Sequence, residues 1–164
     1  MSTRANVVLR ESYSYKDDKG ETVNKTDELW LYRHSDGYPE GVLPTLNLFT
    51  SWIKDGHIRG NLSQGSGWLI VIGAMEYASI PEHTVEHQQY GDYCDMNSVK
   101  PPKSWKMGAY EITTGIHGDI EYLYEIDLTA REIRISEPVY NKDYSKKDWK
   151  VVETISFAED ENKE

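Results

Sequence analysis

The spacing of apolar residues changes after Pro39, and this change constrains the fold of the chain more than any other feature. Before it, residues 28–34 are rich in leucine and aromatic side chains, which is typical of a strand. After it, apolar residues recur at steps of three and four, as on one face of a helix: Val42, Leu46, Phe49 and Ile53. The sequence therefore predicts a fold that combines strands with amphipathic helices.

Two strand-like segments, 6–15 and 28–34, flank a polar and turn-forming stretch at 16–21. This arrangement predicts a β-hairpin with a long tip. Because side chains alternate along a strand, we expect the second segment to have two different faces. One face would carry Leu29, Leu31 and Arg33, and the other would carry Trp30, Tyr32 and His34.

Residues 68–75 are apolar on every side, lie after the candidate helix caps Ser63 and Ser66, and precede Pro81. We predict a buried helix here, with a central strand as the alternative, because a short apolar run fits either structure. A polar loop follows at 82–103, and loops of that length in compact domains are usually functional or mobile.

Four more strand-like segments complete the chain: 108–113, 119–127, 132–135 and 149–157. The predicted fold class is α+β, with an antiparallel sheet of four to five strands and two helices packed on one face. We expect residues 1–157 to form a single domain, because a chain of 164 residues suits one core. Residues 158–164 are predicted to be an acidic flexible tail.

The formal charge of -10 makes the chain strongly acidic. This charge repels phosphate backbones, so it argues against direct nucleic-acid binding and favours a protein partner with a basic surface. No apolar stretch reaches the roughly 18 residues that cross a bilayer, and the first residues do not resemble a signal peptide. Together with the single Cys94, these features predict a cytoplasmic protein that binds no membrane.

The segment 119–127 alternates between two kinds of residue, which predicts a strand with one face in the core. The predicted core face consists of Ile120, Tyr122, Tyr124 and Ile126. The opposite face carries Glu121, Leu123, Glu125 and Asp127. Because residues 108–128 contain no Lys or Arg, we interpret the carboxylates of Glu121, Glu125 and Asp127 as a candidate partner-binding face.

The strand-to-helix junction at 33–39 is the first candidate ligand-binding site. Arg33, His34, Asp36 and Tyr38 bring a cation, an imidazole, a carboxylate and a phenol to one accessible turn. The alternative interpretation is that Asp36 and the residues after it only form the turn. The sequence supports both interpretations equally.

A second candidate is the turn at 113–119, which presents His117 and Asp119. The alternative is an ordinary hairpin turn whose glycines adopt positive φ. If this turn lies at the same sheet edge as the first, His117 and Asp119 would meet His34 and Asp36. Two histidines and two aspartates could then carry out acid–base chemistry or bind a metal.

A third segment, at 82–95, contains His83, His87 and Cys94 and superficially offers zinc ligands. A single cysteine without a nearby second one is a weak metal signal, so we favour a solvated acidic loop. The P-loop, the dinucleotide-binding glycine pattern, H-E-x-x-H and G-x-S-x-G are all absent from the sequence. We therefore predict no catalytic residues, no cofactor and no bound metal.

Three short stretches carry a resemblance to a known group of proteins: Ser2-Thr3-Arg4, Tyr32-x-His34-x-Asp36-Gly37-Tyr38-Pro39-x-Gly41 and His117-Gly118-Asp119-x-Glu121-Tyr122. Together they resemble an uncharacterised family of small hypothetical proteins from bacteriophages and bacteria. The resemblance implies no activity and no catalytic residues. It does imply a setting, which is a phage or mobile-element accessory gene whose product inhibits host machinery.

Two functions are therefore in competition. The first is a non-enzymatic acidic binding protein, which would inhibit a host defence protein through an acidic, Tyr-rich surface, with DNA mimicry as one means. The alternative is a pocket protein that binds, sequesters or hydrolyses a nucleotide-like ligand with the His34/Asp36 and His117/Asp119 turns. A structural module, dimeric or not, would need neither surface.

Overall fold

The computed structural model of the chain describes residues 2–78 and 108–159. Its elements in chain order are β1 (Ala5–Lys16), β2 (Thr22–Arg33), α1 (Pro39–Lys54), α2 (Leu62–Ala78), β3 (Glu111–Thr113), β4 (Tyr122–Asp127), β5 (Glu132–Tyr140) and β6 (Lys146–Ser156). Within these two ranges, no helix is long and apolar enough to cross a membrane.

The six strands form one open sheet in the order β3-β2-β1-β4-β5-β6. Neighbouring strands are antiparallel except β1 and β4, which run parallel from Ala5↔Tyr122 to Arg10↔Asp127. The predicted α+β class is confirmed, but the prediction of an entirely antiparallel sheet with four to five strands was wrong. A parallel pair needs a long connection between its strands, and the chain between β1 and β4 includes both helices.

Residues 114–121 form a crossing segment that takes the chain from β3, at one sheet edge, past the ends of β2 and β1 to β4. The N–H of Glu121 donates to the carbonyl of Arg4 at 2.9 Å. The N–H of His117 donates to the side-chain oxygen of Asn6 at 2.7 Å. The crossing segment therefore closes over the same end of the sheet at which β2 leads into the 33–39 turn.

Both helices pack on one face of the sheet, as predicted. The core on this face joins Val7, Leu9 and Leu31 of the strands to Phe49 of α1 and Leu69 of α2. In α1 the four residues of the predicted apolar stripe are all buried: Val42, Leu46, Phe49 and Ile53. The helix begins at Pro39, and the N–H that proline lacks would have had no partner within the helix at this position. It ends at Lys54, just before Asp55 and Gly56, and Gly56 adopts a φ of 76°.

The second helix, α2, begins at Leu62, earlier than its apolar run predicted. The candidate caps Ser63 and Ser66 both lie inside the helix, so the prediction that they precede it was wrong. Instead, the backbone N–H of Leu62 donates to the carboxylate of Glu11 at 2.6 Å. The prediction of a helix is confirmed, but burial on every side was wrong, because one stripe of side chains is exposed: Trp68, Val71 and Met75.

A second apolar cluster lies on the sheet face opposite the helices: Val8, Tyr32, Ile120 and Leu123, with Trp30 and Trp149 packed against it. This cluster corrects the predicted faces of the strand that became β4, because Ile120 and Leu123 contribute to the same side. Ile120 lies before β4 begins at Tyr122, so strand alternation does not apply to it. Tyr124 and Ile126 do face the helices, as predicted.

The β1–β2 hairpin extends well beyond the rest of the sheet. Its strands pair along their whole length and are joined by a short turn at 17–21, so the predicted long tip was wrong. β4 pairs with β1 only as far as Arg10, and β3 pairs with β2 only from Trp30 onwards. Residues 11–27 therefore project past both neighbouring strands as a two-stranded ribbon, which we call the arm.

Cross-strand hydrogen bonds between side chains follow one face of the arm: Ser12 to Thr26 at 3.0 Å, Ser14 to Asn24 at 2.5 Å and Lys16 to Thr22 at 2.9 Å. Such pairs stabilise a ribbon that has no third strand beside it. The opposite face of the arm continues the helix side of the sheet and carries Glu11, Tyr13 and Tyr15.

Candidate functional site

Arg33, the first predicted ligand residue, turns toward the helices, and 3 % of its side chain is exposed. Its guanidinium donates to Glu76 Oε1 at 2.9 Å and to the carbonyl oxygen of Ser35 at 2.8 Å, and it lies over the ring of Tyr110. Burial opposes the charged form, but the Glu76 carboxylate outweighs it, so the pKa of Arg33 is raised. Arg33 therefore ties α2 to the turn.

The 33–39 turn is held by hydrogen bonds to the segment just before β1 and to β4. The N–H of Gly37 donates to the carbonyl of Thr3 at 2.9 Å, and the Tyr124 hydroxyl donates to the carbonyl of Gly37 at 2.7 Å. Asp36 adopts a φ of 54°, and its carboxylate accepts a hydrogen bond from the Tyr38 hydroxyl at 3.2 Å. These contacts support the interpretation that Asp36 and its neighbours form the turn.

The second predicted turn becomes part of a connected group of side chains around Tyr32. The imidazole of His117 is stacked on the Tyr32 ring, with 4.1 Å between the ring centroids. His34 meets the same ring edge-on at 6.1 Å. The Tyr32 hydroxyl donates to Asp119 Oδ2 at 3.1 Å, and Arg4 donates to the same oxygen at 2.8 Å. We call this group the Tyr32 cluster.

The charges in the Tyr32 cluster stabilise one another. Partial burial opposes ionisation of Asp119, but the hydrogen bond from Tyr32 and the Arg4 cation outweigh it, so the pKa of Asp119 is lowered. Burial and the Asp119 carboxylate both raise the pKa of the Tyr32 phenol. At neutral pH the cluster therefore contains a carboxylate, a guanidinium and a neutral phenol.

The structure brings some of the predicted ligand residues together and separates others. His34, His117 and Asp119 surround Tyr32, whereas Arg33 lies on the helix side and Asp36 is bonded to Tyr38. Within residues 2–78 and 108–159, no group of three or more His, Cys, Asp or Glu residues is arranged to hold a metal ion. The third candidate segment, at 82–95, lies outside the described residues.

The glycines of the second turn do not have the role that the hairpin interpretation gave them. Gly115 and Gly118 are absent from the described residues with positive φ, and a Cβ added at either position would meet nothing within 4 Å. Thr113 instead supports the turn, because its hydroxyl shares a hydrogen bond of 2.8 Å with Nε2 of His117. The turn is therefore held by side chains and not by glycine conformations.

The three carboxylates of the candidate partner-binding face have different surroundings. Glu125 is partly buried and forms a short ion pair with Arg10. Asp127 accepts hydrogen bonds from the backbone N–H groups of Thr129 and Ala130, at 3.0 Å and 2.9 Å. Glu121 alone among the three is exposed without a contact of this kind in the described part of the chain. The three residues do not form a continuous surface of unpaired charge.

The arm is a candidate binding surface that the sequence interpretation missed. Tyr13 and Tyr15 lie on the same face, with 6.4 Å between their ring centroids and 24° between their ring planes. Tyr13 is 43 % exposed and Tyr15 is 45 % exposed. The alternation of tyrosine and serine at 12–15 was the available signal, because it places both tyrosines on one face of the strand predicted over 6–15.

A cleft of about 370 Å³ lies at the base of the arm, between the hairpin and the first turn of α2. It is lined by Glu11, Asp27, Leu29, Asn61, Leu62 and Ser66, among others. Another cleft of about 370 Å³ lies at the start of α1, beside Glu153.

Comparison with known proteins found no match to this chain among protein-family models, curated proteins or solved structures.

Proposed function

We propose that this chain is a non-enzymatic binding protein that recognises the basic surface of another protein through its arm. The observation that carries this proposal is the extension of residues 11–27 past both neighbouring strands with the stacked pair Tyr13 and Tyr15 exposed on one face. Tyrosines that are exposed together on a projecting ribbon are typical of a surface that a partner covers, because their rings are apolar and their hydroxyls remain hydrated.

Tyrosine suits such a surface for a physical reason. It offers a large contact area and loses little conformational entropy on binding, because only two side-chain torsions are fixed. Tyr13 and Tyr15 already contact each other, so part of that entropy is lost before a partner arrives. The pair would form the centre of the interface, and the charged residues around it would form the rim.

The charge of the arm favours a basic partner. Residues 11–27 contain five carboxylates and three lysines. Together with the formal charge of -10 on the whole chain, this excess would attract a positively charged protein and speed its association. The arm therefore takes the place of the Glu121, Glu125 and Asp127 face as the acidic, Tyr-rich surface.

Following the resemblance noted in the sequence, we propose that the chain is a phage or mobile-element accessory protein and that this binding inhibits a host defence protein. Inhibition by DNA mimicry has less support than inhibition by an aromatic arm. Mimicry needs a row of carboxylates spaced like phosphates, whereas Glu125 and Asp119 are paired with arginines.

Affinity capture from bacterial lysate would test the proposal. The wild type is compared with Tyr13→Ser/Tyr15→Ser and with the control Tyr140→Ser/Tyr144→Ser, whose tyrosines are 50 % and 87 % exposed at a different edge of the sheet. We expect the arm variant to lose a protein that the control retains. We also expect capture to weaken between about 50 mM and about 500 mM salt. Equal capture by both variants would contradict the proposal.

The second candidate function is a pocket for a nucleotide-like ligand at the Tyr32 cluster. The observation in its favour is the stack of His117 on Tyr32, with His34 exposed beside it, because a planar base could extend such a stack. The polar atoms of Tyr32 and Asp119 are already bonded to each other, which leaves fewer groups to bind a ligand. This candidate would be favoured if nucleotides raise the melting temperature of the wild type but not that of His34→Ala.

A further inference from the structure

The cleft at the base of the arm brings two carboxylates together. Glu11 and Asp27 are direct cross-strand partners in the hairpin, so their side chains leave the same face about 5 Å apart at Cβ. Both line the cleft. Like charges directly opposite each other on a sheet repel. Here Glu11 accepts a hydrogen bond from the Leu62 N–H, and Asp27 accepts one from the Tyr13 hydroxyl. Within the described part of the chain, neither carboxylate is paired with a cation across the hairpin.

The cleft also contains polar atoms whose hydrogen-bonding capacity is unused. Ser66 is 4 % exposed and lines the cleft from the α2 side. Its hydroxyl oxygen has no hydrogen-bond partner within the described part of the chain, and neither does the buried Oδ1 of Asn61. A buried polar atom without a partner costs about 1 to 3 kcal/mol, and a ligand that donates hydrogen bonds at this cleft would recover that cost.

The groups that line the cleft select a cation. A helix N-terminus by itself attracts anions. Here, however, the Glu11 carboxylate already accepts the N–H of Leu62, and the N–H of Gly65 is bonded to the carbonyl of Asn61 at 2.8 Å. The acceptors that line the cleft include the Asp27 carboxylate, which also accepts a hydrogen bond from the Tyr13 hydroxyl, the Oδ1 of Asn61 and the Ser66 hydroxyl, and a donor with several N–H groups would complement them.

We infer that this cleft binds the cationic end of an arginine or lysine side chain of the partner protein. The guanidinium or ammonium group donates to Asp27, Asn61 and Ser66, and the aliphatic stem lies against Leu29 and Leu62. A cation in this position also relieves the repulsion between Glu11 and Asp27. This inference rests on the proposed function, since the cleft adjoins the arm and would hold one side chain of the protein that the arm recognises.

The inference can be tested with short peptides on the full chain. The ¹⁵N-labelled protein is titrated with acetyl-Gly-Arg-Gly-amide, with the lysine equivalent and with the citrulline equivalent, in which a neutral urea group replaces guanidinium. We expect saturable amide shifts at Asp27, Leu62 and Ser66 with the cationic peptides. The citrulline peptide should bind about tenfold more weakly, because it lacks the charge.

Variants separate the cleft from general electrostatic attraction. Asp27→Asn should weaken binding of the arginine peptide about tenfold, because it removes the charge of one of the two carboxylates that line the cleft. Asp18→Asn makes the same charge change at the exposed arm tip and should leave binding unchanged. Ser66→Ala should weaken binding about threefold through loss of one acceptor, and it retains a helix-favouring residue.

Three outcomes would overturn the inference. The citrulline peptide could bind as tightly as the arginine peptide, or Asp27→Asn and Asp18→Asn could weaken binding equally. The third outcome is the absence of any amide shift at a peptide concentration of about 10 mM, which is ten times a millimolar dissociation constant. Binding of putrescine more tightly than the peptides would instead assign the cleft to a free polyamine. If lysate capture still depends on Tyr13 and Tyr15 in any of these cases, the proposed function stands without the cleft. If capture does not depend on them, the proposed function fails independently.

Discussion

The imidazole ring of His117 is stacked on the phenol ring of Tyr32, with 4.1 Å between the ring centroids and 14° between the ring planes. This contact joins the crossing segment to β2, and the bond between Thr113 and Nε2 of His117 holds the imidazole in place. His117→Ala should lower the free energy of unfolding by about 1 to 2 kcal/mol through the lost stack and hydrogen bond. Urea unfolding measures the change. His57→Ala, at an exposed position, should change it much less.

The lowered pKa of Asp119 makes part of the stability depend on pH. Because the folded state favours the carboxylate, this contribution is complete above the unfolded pKa of about 3.9 and is lost as the pH falls through the lower folded value. Asp119→Asn should therefore be less stable than the wild type at pH 7, and the two should converge in strong acid. Unfolding curves across this pH range test the prediction. A difference that stays constant down to the lowest pH would contradict it.

The buried ion pair of Arg33 and Glu76 should be costly to break. Arg33→Met leaves the partly buried Glu76 without its guanidinium, so we expect a loss of about 3 kcal/mol or more in the free energy of unfolding. The control Arg59→Met changes an exposed arginine and should have little effect. Calorimetry of both variants measures the comparison. Similar melting temperatures for the two variants would show that Arg33 is not structural.

Two glycines should respond differently to the same substitution. A Cβ at Gly41 would collide with the carbonyl oxygen of Asp36, whereas a Cβ at Gly118 would meet nothing within 4 Å. Gly41→Ala should therefore destabilise the protein by about 2 kcal/mol or more, because the 33–39 turn must shift. Gly118→Ala should stay within about 0.5 kcal/mol of the wild type. Thermal unfolding of the pair decides between these expectations.

Ser66→Ala should increase the stability of the protein on its own. It removes a buried hydroxyl that has no partner among the described residues and replaces serine by the best helix former, so a gain of about 1 kcal/mol is expected. Ser63→Ala, at an exposed position in the same helix, is the matched control, because it changes helix propensity without removing a buried hydroxyl. Chemical denaturation measures both. A loss of stability in Ser66→Ala would mean that the hydroxyl already serves the fold.

The sequence by itself determined the local structure, because local structure depends on short-range periodicity. The alternation along 28–34 placed Leu31 in the core and Tyr32 on the opposite face, and the helical spacing from Val42 to Ile53 defined α1. The α+β class follows from these patterns. So does the excess of negative charge, which depends only on composition.

Only the tertiary structure decided which distant segments meet. The parallel pairing of β1 with β4 and the crossing segment that brings Asp119 to Arg4 join residues far apart in the chain, and no periodic pattern encodes such contacts. The two predicted turns do lie at the same end of the sheet, but β2 sends Arg33 and Tyr32 to opposite faces, so their polar groups are divided between two environments. The arm and its cleft likewise arise from where β3 and β4 stop pairing with the hairpin, which is a property of the whole sheet.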